Sequence, residues 1–225
     1  MELADAKREL RQRMLNIRAH IPEEVRTEQS TAAGLHAEGD VLGPLRERRG
    51  GKLNVFCYAS FRDEPDTRPL MASCIARGDR LLAPKVGANR SLSLHELSGQ
   101  ADLVPGTWGI PEPAGHTPVW PPELYPDIDV IIVPGLAFDL NGGRIGFGAG
   151  YYDRLIGELA RRSGGAGRVL LGALALEELI APAAIPLEAH DFRLDLLFTA
   201  NGTIYMKESS DKLAELGIES RDDAL

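Results

Sequence analysis

A group of glycines beside an arginine is the most chemically suggestive part of this sequence. Gly146, Gly148 and Gly150 alternate with other residues, and Arg144 lies two positions before them. Glycines let backbone N–H groups approach an anion, and an arginine adds a charge that is never lost. The spacing fits a phosphate-binding loop and a purely structural glycine-rich loop about equally well.

Secondary-structure signals surround this loop. Residues 130–133 are a β-branched run, typical of a buried parallel strand, and Asn141 with Gly142 predicts a tight turn. Tyr152 and Leu155 begin an apolar pattern with helical spacing. The loop therefore leads into the start of a helix, where unpaired N–H groups favour an anion.

Several familiar motifs are missing from the sequence. Neither G-x-x-x-x-G-K-[ST] nor G-x-G-x-x-G occurs around the glycines, which argues against a P-loop or a Rossmann site. There is also no G-x-S-x-G elbow and no H-E-x-x-H helix. Phosphoryl transfer remains compatible with the sequence, because it needs positioning and charge neutralisation rather than an enzyme nucleophile.

The motifs resemble those of the 5-formyltetrahydrofolate cyclo-ligases, also called 5,10-methenyltetrahydrofolate synthetases. The strongest similarity covers 134–139, 141–144 and 146–154. Weaker matches are the K-x-x-L-R opening at Lys7, the D-E-x-x-T segment at Asp63, a W-x-I-P-x-P turn at Trp108, and P-x-x-x-H-D-x-x-L-D from Pro186. The resemblance extends over roughly residues 4 to 200.

This resemblance implies an enzyme that uses ATP and Mg²⁺ to cyclise 5-formyltetrahydrofolate to 5,10-methenyltetrahydrofolate. The formyl oxygen would attack the γ-phosphate, giving an imidate phosphate, and N10 would then close the ring. ADP and phosphate are released. The alternatives are a non-catalytic folate- or nucleotide-binding relative and a sugar-phosphate isomerase, the latter disfavoured because the sequence shows no evident base for enediol chemistry.

The same resemblance assigns roles to individual residues. ATP is expected at Lys7, Arg11, Arg144, Gly146, Phe147, Gly148, Ala149, Gly150, Tyr151 and Tyr152. The folate is expected at Tyr58, Glu64, Trp108 and Tyr152, and Mg²⁺ at Asp153 and Asp191. Arg144 and Tyr152 are the expected catalytic residues. Ala149 replaces the lysine or glycine common in relatives, so one phosphate contact is expected to be missing.

Each assignment has a structural alternative. Lys7 and Arg11 lie one helical turn apart, which suits a shared anion, although solvation explains most such charges. Trp108 stands between glycines and prolines and is available to stack on a flat ligand or to pack internally. Asp153 and Asp191 are also suited to capping a helix or a turn.

The remaining patterns predict a three-layer αβα sandwich with a mostly parallel sheet and a single domain. Helices are predicted over 3–21, 22–37 and 68–77, and strands over 53–58, 80–83, 91–97, 169–176, 196–199 and 203–206. The domain is expected to span 1–207. Segment 163–167 is expected to be a flexible loop, and 208–225 an acidic tail that is mobile or weakly helical.

Composition limits the classes of partner. The net charge of −8 argues against general nucleic-acid binding, and no apolar run is long enough for a membrane span. The N-terminus lacks the features of a secretory signal, so a cytoplasmic enzyme is expected. Cys57 and Cys74 have no metal or redox spacing and are expected to be buried thiols. We expect a monomer.

Overall fold

The computed structural model describes residues 3–162 and 169–218. Within these residues the α-helices are α1 (Leu3–His20), α2 (Glu23–His36), α3 (Gly43–Arg48), α4 (Arg68–Ala76), α5 (Tyr151–Arg162) and α6 (Ser210–Glu215). A π-helical stretch, Ala37–Leu42, joins α2 to α3. None of the described helices is long and apolar enough to cross a membrane.

The described strands form one large sheet and two small ones. They are β1 (Asn54–Cys57), β2 (Arg80–Val86), β3 (Leu92–Leu97), β4 (Leu103–Pro105), β5 (Pro111–Pro113), β6 (Val119–Trp120), β7 (Val130–Ile132), β8 (Ala137–Phe138), β9 (Arg144–Ile145), β10 (Leu170–Leu174), β11 (Leu196–Thr199) and β12 (Gly202–Tyr205). The large sheet has the order β12-β11-β10-β7-β1-β2-β3-β6. Its centre, from β11 to β2, is parallel, and antiparallel strands close both edges.

Helices cover both faces of the large sheet. Val55 and Cys57 of β1 lie in a core shared with α2, α3, α4 and α6, whereas Phe56 points into a second core shared with α5. This alternation follows from the two-residue period of a strand, and apolar residues on both faces are what a parallel sheet requires. The predicted three-layer αβα architecture is confirmed.

The hairpin of β8 and β9 is built around the carboxylate of Asp139. This side chain is 2% exposed, and its Oδ1 accepts N–H bonds from Asn141 and Gly143 at 2.7 and 2.8 Å. Its Oδ2 accepts from Ile185 at 2.6 Å. Gly142 has φ of +79°, as the predicted tight turn requires. The hairpin thereby holds Arg144 beside the end of β7.

The C-terminal segment, expected to be mobile or weakly helical, forms the short helix α6 and packs against the core. Leu213 of α6 and Ile218 are buried in the core beside α2 and α3. Asp195 anchors this segment, because its carboxylate accepts hydrogen bonds from Ser209 and Lys212, both at 2.6 Å. Residues 208–218 are therefore packed against the domain, while 163–168 and 219–225 lie outside the described residues.

Candidate functional site

A pocket of about 770 Å³ lies at the carboxyl ends of the parallel strands. Tyr58 directly follows β1, Pro134 lies two residues beyond β7, and both contribute to its wall. This is where open α/β sheets usually bind ligands. All of the residues assigned to a site from the sequence line this pocket, namely Lys7, Arg11, Tyr58, Glu64, Trp108, Arg144, Gly146, Phe147, Gly148, Ala149, Gly150, Tyr151, Tyr152, Asp153 and Asp191.

The glycine loop, residues 146–150, joins β9 to α5. Gly148 and Gly150 have φ of +92° and +71°, a region that residues with side chains rarely adopt. Arg11 reaches the loop from α1 and donates from Nε to the Gly146 carbonyl at 2.9 Å. A Cβ atom at Gly148 would come within 3.2 Å of the Arg11 guanidinium carbon. The backbone conformation therefore favours glycine at position 148, and a Cβ there would also push the Arg11 guanidinium aside by a few tenths of an ångström.

Arg144 is held rigidly in the pocket wall. Its side chain is 7% exposed, and it donates to the Pro134 carbonyl at 2.9 Å and to Asp153 at 3.3 Å. The guanidinium lies 4.7 Å from the Phe192 ring centroid. Burial lowers the pKa of Arg144 below its ordinary value, with Asp153 opposing this effect, yet an arginine remains charged. Its Nε is buried and has no partner among the described residues.

Lys7 is paired with two carboxylates. Its Nζ donates to Asp191 at 2.5 Å and to Glu188 at 2.9 Å. Burial works against the charged amine, but these two partners raise the pKa of Lys7 above its ordinary value. Burial likewise opposes ionisation of Asp191, whose pKa is nevertheless lowered by the Glu188 N–H and by Lys7. The Lys7 amine and the Asp191 carboxylate are therefore both charged at neutral pH.

Glu64 and two tyrosines form the opposite wall. Burial raises the pKa of the Glu64 carboxyl to about 7, although the Phe61 N–H donates to it and Arg18 is nearby. The Tyr58 hydroxyl donates to the Pro65 carbonyl at 3.1 Å. Burial also raises the pKa of Tyr152, which lies close enough to interact electrostatically with both Glu64 and Arg144. Tyr152 is thus an uncharged hydrogen-bond donor between the two walls.

Trp108 projects from the turn between β4 and β5. Its side chain is 68% exposed and its φ is +58°, an unusual conformation for a large residue. Glu112 stabilises the turn because its carboxylate accepts the Thr107 N–H at 3.0 Å. The indole is therefore presented at the pocket rather than packed in the core.

The two aspartates proposed for Mg²⁺ each keep one oxygen available. Arg144 occupies Asp153 Oδ1, and Lys7 with the Glu188 N–H occupies Asp191 Oδ2. Among the described residues, neither Asp153 Oδ2 nor Asp191 Oδ1 accepts a hydrogen bond. Two carboxylates lining one cavity suit Mg²⁺, which prefers one or two carboxylates together with phosphate oxygens.

Five charged residues of the site were not assigned to it from the sequence, namely Arg18, Arg62, Asp63, Glu112 and Glu188. Arg18 lines the pocket, and Glu188 holds Lys7. Arg18 was not singled out among the arginines of α1, because a sequence shows charge but not burial. The spacing of Arg18 did indicate its position, because Arg18 follows Arg11 by seven residues, or two helical turns, and so lies on the same face of α1. Glu188 has no comparable signal.

Comparison with known proteins identifies the family. The sequence model of the 5-formyltetrahydrofolate cyclo-ligase family matches residues 4–200. The chain belongs to this family.

Individual cyclo-ligases share much of the sequence and the fold. The Saccharomyces cerevisiae 5-formyltetrahydrofolate cyclo-ligase is 37% identical over 170 residues, which cover 67% of this chain and 77% of that protein. The Mycolicibacterium smegmatis cyclo-ligase is 30% identical, covering 86% and 93%. The solved structure of Aquifex aeolicus 5,10-methenyltetrahydrofolate synthetase has a TM-score of 0.69 at 32% identity, covering 89% and 93%. The predicted family and the expectation of an enzyme are confirmed.

Proposed function

We propose that this chain catalyses the ATP- and Mg²⁺-dependent cyclisation of 5-formyltetrahydrofolate to 5,10-methenyltetrahydrofolate, with release of ADP and phosphate. The main observation that supports this proposal is one pocket with two walls made of different kinds of residue. One wall combines the glycine loop with Lys7, Arg11 and Arg144, and the other combines Tyr58, Glu64 and Trp108. A triphosphate and a flat, polar ring system can therefore meet in one cavity.

The reaction needs an activated formyl group. The formyl oxygen of the substrate attacks the γ-phosphorus of ATP, forming a C–O–P link while the bond to the ADP oxygen breaks. N10 then attacks the formyl carbon and loses its proton, and phosphate leaves with the former formyl oxygen. No covalent bond to the enzyme is required, so the protein contributes mainly positioning and charge stabilisation.

The cationic wall stabilises the charge on the phosphates. Arg144 is the central residue because it is buried, held by Pro134 and Asp153, and cannot lose its charge. Arg11 and the N–H groups of residues 146–151 bind the phosphate chain. Lys7 exchanges part of its contact with Glu188 and Asp191 for a phosphate oxygen when ATP binds.

Asp153 and Asp191 would hold Mg²⁺ through the carboxylate oxygens that the described residues leave available. When bound, the ion neutralises charge on the phosphate oxygens as the γ-phosphoryl group is transferred. Arg144 orients Asp153, and Lys7 orients Asp191 and helps to keep it ionised.

The second wall orients the folate. Trp108 stacks on the flat ring system of the folate, and the Tyr58 ring packs against the same ring system. Glu64 accepts a hydrogen bond from an N–H group of the folate ring. The Tyr152 hydroxyl donates a hydrogen bond where the two substrates meet. Its phenol is uncharged at neutral pH, so it adds no repulsion to the incoming phosphates.

The test is the near-ultraviolet absorbance of the methenyl product after mixing purified protein with 5-formyltetrahydrofolate, Mg²⁺ and ATP. We expect a rise that needs both ATP and Mg²⁺, with one phosphate released per methenyl group formed. Reactions lacking ATP, and reactions containing a chelator, are the controls. A folded protein that binds 5-formyltetrahydrofolate but gives no ATP-dependent rise would instead be a non-catalytic relative.

A further inference from the structure

Arg18 is a buried charge with unused hydrogen-bond donors. Its residue is 3% exposed, and its Nη2 pairs with Asp63 Oδ1 at 2.9 Å. Nε and Nη1 are buried and have no partner among the described residues. The same side chain contributes to the pocket wall. Such donors are rare in native proteins and call for a specific explanation.

Neighbouring residues do not explain these donors as part of the fold. Phe147 places its ring centroid 5.4 Å from the Arg18 guanidinium carbon, which excludes water but accepts no conventional N–H bond. Asp63 compensates the charge without satisfying Nε or Nη1. Removing a guanidinium from water while leaving donors unpaired destabilises a protein. The arrangement is therefore better suited to the liganded state than to the free protein.

The position of Arg18 indicates which ligand group it faces. Arg18 lies seven residues beyond Arg11, which is roughly 10 Å along α1 and away from Lys7. Its charge acts on the Glu64 carboxyl and on the Tyr58 phenol. Both of these residues belong to the wall assigned to the folate, whereas Phe147 brings the guanidinium to the edge of the glycine loop. The proximity to Glu64 and Tyr58 therefore favours an acceptor atom of the ring system as the partner of Arg18.

We propose that Arg18 is a folate-binding residue whose Nε and Nη1 donate to the ring carbonyl of the pterin, beside the N–H group that Glu64 accepts. The ring presents this carbonyl next to an N–H group, so an arginine and a carboxyl side by side complement it. This inference rests on the proposed function, because it takes the folate as the ligand of this wall.

The experiment measures protein stability and, in separate titrations, the affinities for folate and for Mg²⁺-ATP. Titration calorimetry with 5-formyltetrahydrofolate is carried out on the wild type, Arg18→Met and Arg13→Met, the last removing an exposed cation from the same helix. We expect Arg18→Met to weaken folate binding at least tenfold and to leave the affinity for Mg²⁺-ATP within about twofold, since the lost donors face the ring. Arg13→Met should bind folate as the wild type does.

Stability separates a ligand-binding role from a structural one. If the unpaired donors serve the ligand, Arg18→Met should unfold at the same or a higher urea concentration than the wild type. The double variant Arg18→Met/Asp63→Asn controls for the carboxylate left behind, and Arg18→Lys replaces Arg18→Met if the latter does not fold. Folate binding within twofold of the wild type in the folded variant would overturn the inference.

The outcomes also distinguish this inference from the function on which it rests. A wild-type protein that does not bind 5-formyltetrahydrofolate would contradict the proposed function. A wild-type protein that binds and cyclises it, together with an Arg18 variant of equal affinity, would contradict the role of Arg18 alone.

Discussion

Arg144 is the single residue whose loss should affect catalysis most. Arg144→Ala should lower kcat by about 100-fold to 1,000-fold, because it removes a preorganised charge that stabilises the transferring phosphoryl group. The fold should persist, since Arg144 belongs to a short hairpin and not to the large sheet. The measurement is ATP-dependent formation of the methenyl product.

Arg161→Ala is the matched control for Arg144→Ala, because Arg161 is an exposed cation near the end of α5. It should retain wild-type kcat. Circular dichroism should give the same spectrum for both variants. Near-normal turnover in a folded Arg144→Ala protein would refute the assigned role.

Glu64 should make stability depend on pH. Burial raises the pKa of its carboxyl from 4.5 to about 7, so over this interval the folded chain holds a proton that the unfolded chain has released. The free energy of unfolding should therefore fall as the pH rises, by at most about 3 kcal/mol. Urea denaturation at about pH 5 and about pH 8 measures this loss, which should be smaller in Glu64→Gln. An identical pH dependence in both proteins would show that Glu64 is not responsible.

At the level of single residues, motif spacing predicted positions better than partners. Fifteen residues chosen from the sequence line one pocket. The sequence did not predict that Lys7 is paired with Glu188, because the two are 181 positions apart and meet only through the fold. Nor did it distinguish the buried Arg18 from exposed arginines of the same helix.

The glycine loop provides an element-level test with an internal control. Gly148→Ala should destabilise the protein by about 1–2 kcal/mol and raise the KM for ATP, because φ is +92° and a Cβ would press on Arg11. Gly157→Ala should stabilise it by about 0.5–1 kcal/mol, since Gly157 lies within α5 and a Cβ there meets nothing within 4 Å. Urea unfolding and ATP-dependent kinetics measure the two effects. Equal shifts in stability would refute the conformational argument.

Elements with strong periodicity were predicted, and those that depend on tertiary contacts were not. The central strands and α1, α2, α4 and α5 lie where the apolar patterns indicated. The β4–β5 hairpin was missed because Pro105, Pro111 and Pro113 suppress the strand signal. The helix after Ala37 was missed because Gly39 and Gly43 weaken helix propensity, whereas buried Val41 and Leu45 stabilise it through packing.

For the whole molecule, the C-terminal helix should contribute to global stability. Leu213→Ala should lower the free energy of unfolding by about 2–4 kcal/mol, because Leu213 is 4% exposed in the core. Leu35→Ala makes the same chemical change at a residue that is 69% exposed, and should cost less than about 0.5 kcal/mol. Chemical denaturation of both variants tests this. A Leu213→Ala protein as stable as Leu35→Ala would mean that residues 208–218 act as a mobile tail after all.

The tail over 208–225 was predicted to be mobile or weakly helical; its described part contains the short helix α6, but composition did not indicate that this helix packs against the core. Acidic residues dominate the final segment, and composition outweighed the two apolar side chains, Leu213 and Ile218, that dock it. Asp195, which anchors the segment, lies in a separate motif before β11. Packing of this kind depends on a partner that is distant in sequence, so it can be seen in the structure but not predicted from the local sequence.

The placement of the two tryptophans gives the protein separate optical reporters. Trp120 is 7% exposed and its indole N–H donates to the Leu124 carbonyl at 3.1 Å, whereas Trp108 is 68% exposed at the pocket. A buried indole emits at shorter wavelength than one in water and is shielded from soluble quenchers. Emission at shorter wavelength, from Trp120, therefore reports whether the sheet is folded. Emission at longer wavelength, from Trp108, reports ligand binding, and no attached dye is needed.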